Sequence, residues 1–142
     1  MTGLTYDDEY PTCDATYATL CIYGDDLDPN AVTSLFGIEP SHTQRKGEHL
    51  KKVVVRRGGW FFSTQNAVVS RDVRRHVNWL IETFSGKEEA FHQLRSQGYE
   101  TVVSCYWRSA SGHGGPMLSP EMMGRLADLG VGIWFDIYFH GE

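Results

Sequence analysis

The sequence predicts an α+β fold: a mostly antiparallel sheet of about five strands with helices packed on one face, in a ferredoxin-like arrangement with an inserted helical pair. Three observations predict it. Runs of two-residue apolar alternation mix with runs of helical spacing, in the order β-α-β-β-α-α-β-α-β. A Gly58-Gly59 pair between two strand-like runs signals a hairpin. One phrase is also written twice. Leu27-Asp28-Pro29 leads to Val32 and Leu35 and closes on Gly37-Ile38; Leu118-Ser119-Pro120 leads to Met123 and Leu126 and closes on Gly130-Val131. Each phrase comes after a strand-like run, so it reads as strand, loop, capped helix and glycine stop, twice over.

Taken in order, residues 1–12 are polar and acidic and read as a loose tail ahead of a single domain over 13–142. Ala15 to Tyr23 alternates as a strand, with Leu20 and Ile22 toward the core. Asp28 is a good N-cap, Pro29 suits the first helical position, and Gly37 ends the helix by adopting the left-handed conformation. Ile38 to Leu50 reads as a loop. Lys51 to Arg57 and Trp60 to Thr64 read as the arms of the hairpin around Gly58-Gly59, and the basic residues would keep an edge strand from pairing with other molecules. Ser70 can cap a helix over Arg71–Phe84 whose apolar face is Val73, Val77, Leu80, Ile81 and Phe84. Ser85-Gly86-Lys87-Glu88 has the form of a capping box before a second helix that Gly98 stops. Glu100 to Trp107 is a strand, and Ser109 to Pro116 is a glycine-rich loop. Gly132 to Phe139 is a final strand, apolar on both sides apart from Asp136, which suggests a central position in the sheet.

At 142 residues, 41% of them hydrophobic and 13% aromatic, the chain can build a real core and is not disordered. No apolar run approaches the ~20 residues that cross a bilayer. The opening Met1 to Tyr10 carries acids and no Lys or Arg, unlike a signal peptide, so a cytoplasmic protein is the expectation. Cys13, Cys21 and Cys105 fit reduced thiols. The net charge of −5 conceals an asymmetry: residues 1–39 hold eight acids and no Lys or Arg, while residues 45–75 hold nine of the 13 cations. The basic patch comprises Arg45, Lys46, Lys51, Lys52, Arg56 and Arg57. It reads first as the complement of the acidic half within one fold. The other reading is a surface for an anionic partner. The acidic balance of the whole chain disfavours nucleic acid.

Ile22-Tyr23-Gly24-Asp25-Asp26-Leu27-Asp28-Pro29, then Gly37-Ile38-Glu39-Pro40, Arg45-Lys46-Gly47 and Gly59-Trp60, together with Leu129-Gly130-Val131 and Asp136-Ile137-Tyr138, resemble the bacterial family of the domain of unknown function numbered 4279. The resemblance runs from about residue 15 to 139. It implies a small, single-domain intracellular bacterial protein, and it brings no activity and no catalytic residues.

Candidate sites rest on single residues. Asp26-Leu27-Asp28-Pro29-Asn30 opens like a calcium loop, but Ala31 stands where the sharp turn needs glycine and Gly37 where a bidentate glutamate belongs, so capping explains it. Asp136, on the face shared by Trp134 and Tyr138, is either a polar anchor or general acid/base in an aromatic-lined groove, or a carboxylate tied to an arginine or a backbone N–H. His113, in the glycine-rich loop, could act as a base but has no second ligand at a telling spacing. His42, His49, His76, His92 and His140 are scattered, so no metal and no cofactor is expected. Trp60 and Tyr23 join Asp136, Trp134, Tyr138 and His113 as a ligand or partner surface if the helices leave one sheet face open. The leading reading is a non-enzymatic binding module for a protein or small ligand, with a regulatory or toxin-neutralising role by analogy and a homodimer open. The alternatives are an enzyme or small-molecule site around Asp136 and His113, and nucleic-acid binding through the basic hairpin.

Overall fold

The computed structural model describes residues 5–139; Met1–Leu4 and His140–Glu142 lie outside the described residues. Its main sheet has five strands in the order β2-β5-β1-β6-β7. These are β1 (Cys13–Gly24), β2 (His42–Gln44), β5 (Gly58–Ser63), β6 (Glu100–Ser109) and β7 (Gly132–Phe139), and the remaining two-residue strands β3 (His49–Leu50) and β4 (Val53–Val54) form a separate small ladder. Pairing is antiparallel except for β6 with β7, which run parallel across eight residue pairs. The α+β, mostly antiparallel expectation stands. β7 lies beyond β6 and pairs with it directly, in parallel.

Four helices supply the other layer: α1 (Pro29–Phe36), α2 (Val73–Thr83), α3 (Glu88–Ser96) and α4 (Pro120–Leu129). They pack on one side. Alternation sends Ala18, Leu20, Ile22, Trp60, Val103, Cys105 and Trp107 into a single buried cluster with Phe36, Phe84 and Phe91 from the helical layer. Phe36 sits at its centre, its ring 5.0 Å from those of both Phe84 and Phe91 and 5.1 Å from Trp60.

Both copies of the repeated phrase form as written. The Asp28 carboxylate accepts from the Asn30 N–H at 3.1 Å and the Ser119 hydroxyl from the Met122 N–H at 3.2 Å. Gly37 (φ 70°) and Gly130 (φ 77°) close the two helices in the left-handed conformation. Beyond the glycines the two halves diverge. After α1 the chain returns as β2 and passes through β3 and β4 before β5 fills the place between β2 and β1, whereas after α4 it returns as β7, directly beside and parallel to β6.

Several local expectations are corrected. Gly58 and Gly59 do not turn the chain; they begin β5, where a Cβ on Gly58 would lie 2.9 Å from the Gly24 carbonyl oxygen. They serve close approach, and the turn falls at Lys51-Lys52 between β3 and β4, with Lys51 at φ 58°. The supposed loop over 38–50 holds β2 and β3. Asp72, not Ser70, caps α2, its carboxylate accepting from the Arg74 N–H at 3.1 Å; Ser70 instead supports Asp72 by accepting from its N–H. The capping box at Ser85 is absent: the N-cap of α3 is Lys87, two residues later, and the Ser85 N–H that Glu88 would have served bonds Glu82 O instead. Of residues 1–12, the described part is tied to the fold. Asp7 N–H donates to Asp72 Oδ2 at 2.8 Å and Asp8 pairs with Arg75 at 2.7 Å. The last correction is the largest: β7 is an edge strand, not a central one.

Candidate functional site: the open face of the sheet

Because every helix lies on one side, the alternate residues of each strand form a second face with no layer over it among the described residues. Pairing register fixes its members. Tyr17 stands opposite Tyr106, and Tyr106 beside Asp136; Ser104 stands beside Trp134, and Arg108 beside Tyr138. On the other side of β1, Cys21 faces Phe61 and Phe61 faces His42.

The rings organise into two groups. Tyr17 stacks on Tyr106 at 5.0 Å, and Tyr106 meets Tyr138 at 5.1 Å. Phe61 stacks on His42 at 5.6 Å and takes the edge of Tyr23 at 5.5 Å. Arg57 lies 4.1 Å above the Tyr23 ring, a cation–π contact, while its guanidinium pairs with Glu100 at 3.1 Å. Between the Tyr17 and Phe61 groups lies a hollow of about 580 Å³, floored by Tyr17, Thr19, Phe61 and Ser63 and walled by His42 and Trp79. A second hollow of about 610 Å³ adjoins it through Trp79 and Ala67, lined by Tyr6, Asp8, Arg75 and Glu82.

Within the charged rim of Arg57 and Asp136, the phenols and the thiol of this face stay neutral. Burial pushes the Tyr23 phenol up to about 12 and the Cys21 thiol up to about 11, and burial first, then the nearby Tyr106 and Asp136, also raises Tyr17. The face therefore presents hydroxyl donors and ring surfaces at neutral pH, and Cys21 is no thiolate nucleophile. Cys105, on the core side, is pushed up to about 12 by burial.

The sequence-derived residues separate accordingly. Trp134, Asp136, Tyr138 and Tyr23 share the open face. Among the described residues no arginine and no backbone N–H bonds Asp136; its carboxylate accepts from the Tyr138 hydroxyl at 3.1 Å, and that bond raises the Tyr138 pKa. Trp60 does not belong with them. It is fully buried, and its indole N–H donates to Thr33 Oγ1 at 3.0 Å. His113 sits in the exposed loop after β6, its Nε2 3.2 Å from Ser111 Oγ, and no hydrogen bond or ion pair joins it to Asp136. In the basic patch, Arg45 pairs with Asp28 at 2.9 Å and Lys46 with Asp25 at 3.6 Å, whereas Lys51, Lys52 and Arg56 are exposed. Among the described residues no group of three or more His, Cys, Asp or Glu could hold a metal ion, and no helix is long and apolar enough to cross a membrane.

Phe61 and His42 were not legible as members of the face. The hairpin signal at Gly58-Gly59 hid that Gly59 and Phe61 share the parity of Tyr23, which alternation from the β1 register alone would have revealed.

Fold and face together define a small α+β domain with one side of its sheet helix-covered and the other bare and aromatic. The chain belongs to the DUF4279 family, described as a domain of unknown function, whose model matches residues 14–140. No curated protein and no solved structure matches it.

Proposed function

We propose that this protein is a non-enzymatic binding module, regulatory or toxin-neutralising in role, that engages a protein partner on the open face of its sheet. One observation carries the reading: a layer of aromatic rings stands where no helix covers it, rimmed by Arg57 on one side and Asp136 on the other. Exposed tyrosine and tryptophan with a polar rim is the composition of protein-recognition surfaces. Three buried free cysteines suit a reducing compartment such as the cytoplasm.

A comparison of captured proteins tests this. A partner retained by the native chain and by the helix-side control Met123→Ala, but lost from Tyr106→Ala and from Phe61→Ala, supports the reading. A partner that both open-face variants retain overturns it. A small ligand is the second reading, favoured by the hollow beside Phe61 and Tyr17, whose volume falls within the ~300–1,000 Å³ of ligand sites. In that case the native chain gains thermal stability from a small aromatic or amphiphilic ligand, and Phe61→Ala loses the gain.

A further inference from the structure

We infer that β7 is a self-association edge: two copies of this chain pair β7 against β7, antiparallel about a two-fold axis at Phe135, into one continuous sheet. The inference does not depend on the binding role of the open face.

Four of the ten exposed large apolar side chains among the described residues fall on this one eight-residue strand: Trp134 (56% exposed), Ile137 (54%), Tyr138 (49%) and Phe139 (47%). Its inner edge is bonded to β6 through eight consecutive pairs without a register shift, so the strand is regular, and its outer N–H and C=O groups form a row that no strand among the described residues pairs with. The opposite edge of the sheet is managed differently. There β2 is three polar residues long, the short and hydrophilic form that resists pairing. β7 has no proline, no lysine and no bulge, and its one charge is Asp136.

Register selects the occupant. In an antiparallel pair about a two-fold axis perpendicular to the sheet, paired residues share a face, so the axis falls on a residue. An axis at Asp136 sets two carboxylates opposite each other and is disfavoured. An axis at Phe135 pairs the strand from Gly132 to Tyr138, leaving only Phe139 beyond the ladder. It sets Ile133 against Ile137, the Trp134 indole N–H across from the Asp136 carboxylate, and the Tyr138 ring over Gly132, where no side chain obstructs it. Every contact is made twice by symmetry. With aromatic side chains of ~150–250 Å² each, the half-exposed side chains offer roughly 400 Å² per copy, and two copies with their strand backbones reach the ~1,000 Å² of a small specific interface. The product is a ten-stranded sheet whose two open faces form one surface.

Sedimentation of the native chain is the test. At about 100 μM, a concentration that populates a dimer of Kd below about 100 μM, it should sediment as two chains of 16.1 kDa. Ile137→Lys and Trp134→Lys, at side chains already about half exposed, should keep the native thermal transition and sediment as monomers. Phe61→Ala, far across the face, should leave association unchanged. The double variant Trp134→Cys/Asp136→Cys should oxidise to a covalent dimer. A monomeric native chain, or lysine variants that stay dimeric, overturns the inference. So does loss of the dimer in a folded Phe61→Ala, which would assign association to the open face. Cross-linking by Asp136→Cys alone overturns the register.

Discussion

At the scale of single residues, His76 is the most constrained side chain that is not apolar. It is 1% exposed, and both ring nitrogens are engaged. Nε2 lies 2.9 Å from the Ser70 carbonyl, which can only accept, so Nε2 carries the proton. Nδ1, 2.6 Å from Thr64 Oγ1, then accepts from that hydroxyl, which itself accepts from the Ala18 N–H at 3.0 Å. Protonating Nδ1 would reverse its bond to Thr64 and leave the hydroxyl proton without the acceptor that the neutral ring supplies. Burial is the main cause that holds its pKa below 6.5, against the Ser70 bond and the Asp72 charge, which favour the cation. In the unfolded chain the ring takes a proton near pH 6.5, whereas in the folded chain it does so only at lower pH. Its contribution to stability is therefore complete above about pH 6.5 and declines as pH falls from there toward the lower folded value. The carboxylates of Asp8 and Asp72 are held below their ordinary 3.8, so their loss comes at more acid pH and does not overlap. Urea midpoints should fall between pH 7 and pH 5 for the native chain, and His76→Gln, less stable at pH 7, should show a flatter profile over that window; equal slopes for both would remove His76 as the cause.

The helix caps show what local chemistry alone decides. Asp28 and Ser119 each satisfy an N–H that has no partner inside its helix, and each side chain is seen accepting it. Replacing either by alanine should cost ~1 kcal/mol, read as a shift in denaturation midpoint without a change in slope. Ser85→Ala should cost less than ~0.5 kcal/mol, since α3 begins at Lys87 without any side-chain cap. The contrast explains what was legible in the sequence. Asp28-Pro29 and Ser119-Pro120 combine a cap with a proline that fixes the first helical turn, and two agreeing local signals were sufficient. Ser85-x-x-Glu88 had the spacing alone; the turn out of α2 engages the Ser85 N–H, and the helix starts two residues later with Lys87 as its N-cap. Strands carry less local information. Gly132 to Phe139 is apolar on both sides, and composition cannot tell an edge strand left exposed from a central one covered on both faces. Only the long-range pairings, with β5 and β6 on the two sides of β1 and β7 joined to β6 alone among the described residues, put β7 at the rim.

For the molecule as a whole, the decisive fact is that four helices cover one side of five strands. The sequence implied this conditionally: more aromatics lie on its strands than one core face accommodates. Which aromatics stay outside is decided by register: Tyr23, Phe61, Trp134 and Tyr138 lie on the open face, and Trp60, which the sequence grouped with them, is buried. Charge distributes on the same plan. The acidic segment before residue 40 and the basic segment after it meet at Arg45 with Asp28 and Lys46 with Asp25, and Arg57 is drawn to Glu100. These pairs are exposed and contribute little stability, but they neutralise half of the basic patch and leave Lys51, Lys52 and Arg56 on a chain of net charge −5. Three phosphate contacts release about three counterions, which supports only weak, steeply salt-dependent attraction. Titrating duplex DNA should therefore give no retained complex at ~150 mM salt, and any binding at ~20 mM should vanish in Lys51→Glu/Lys52→Glu. A complex that survives at the higher salt would mean that nucleic acid displaces the acidic partners of Arg45, Lys46 and Arg57, and the basic segment would then be a binding surface in its own right.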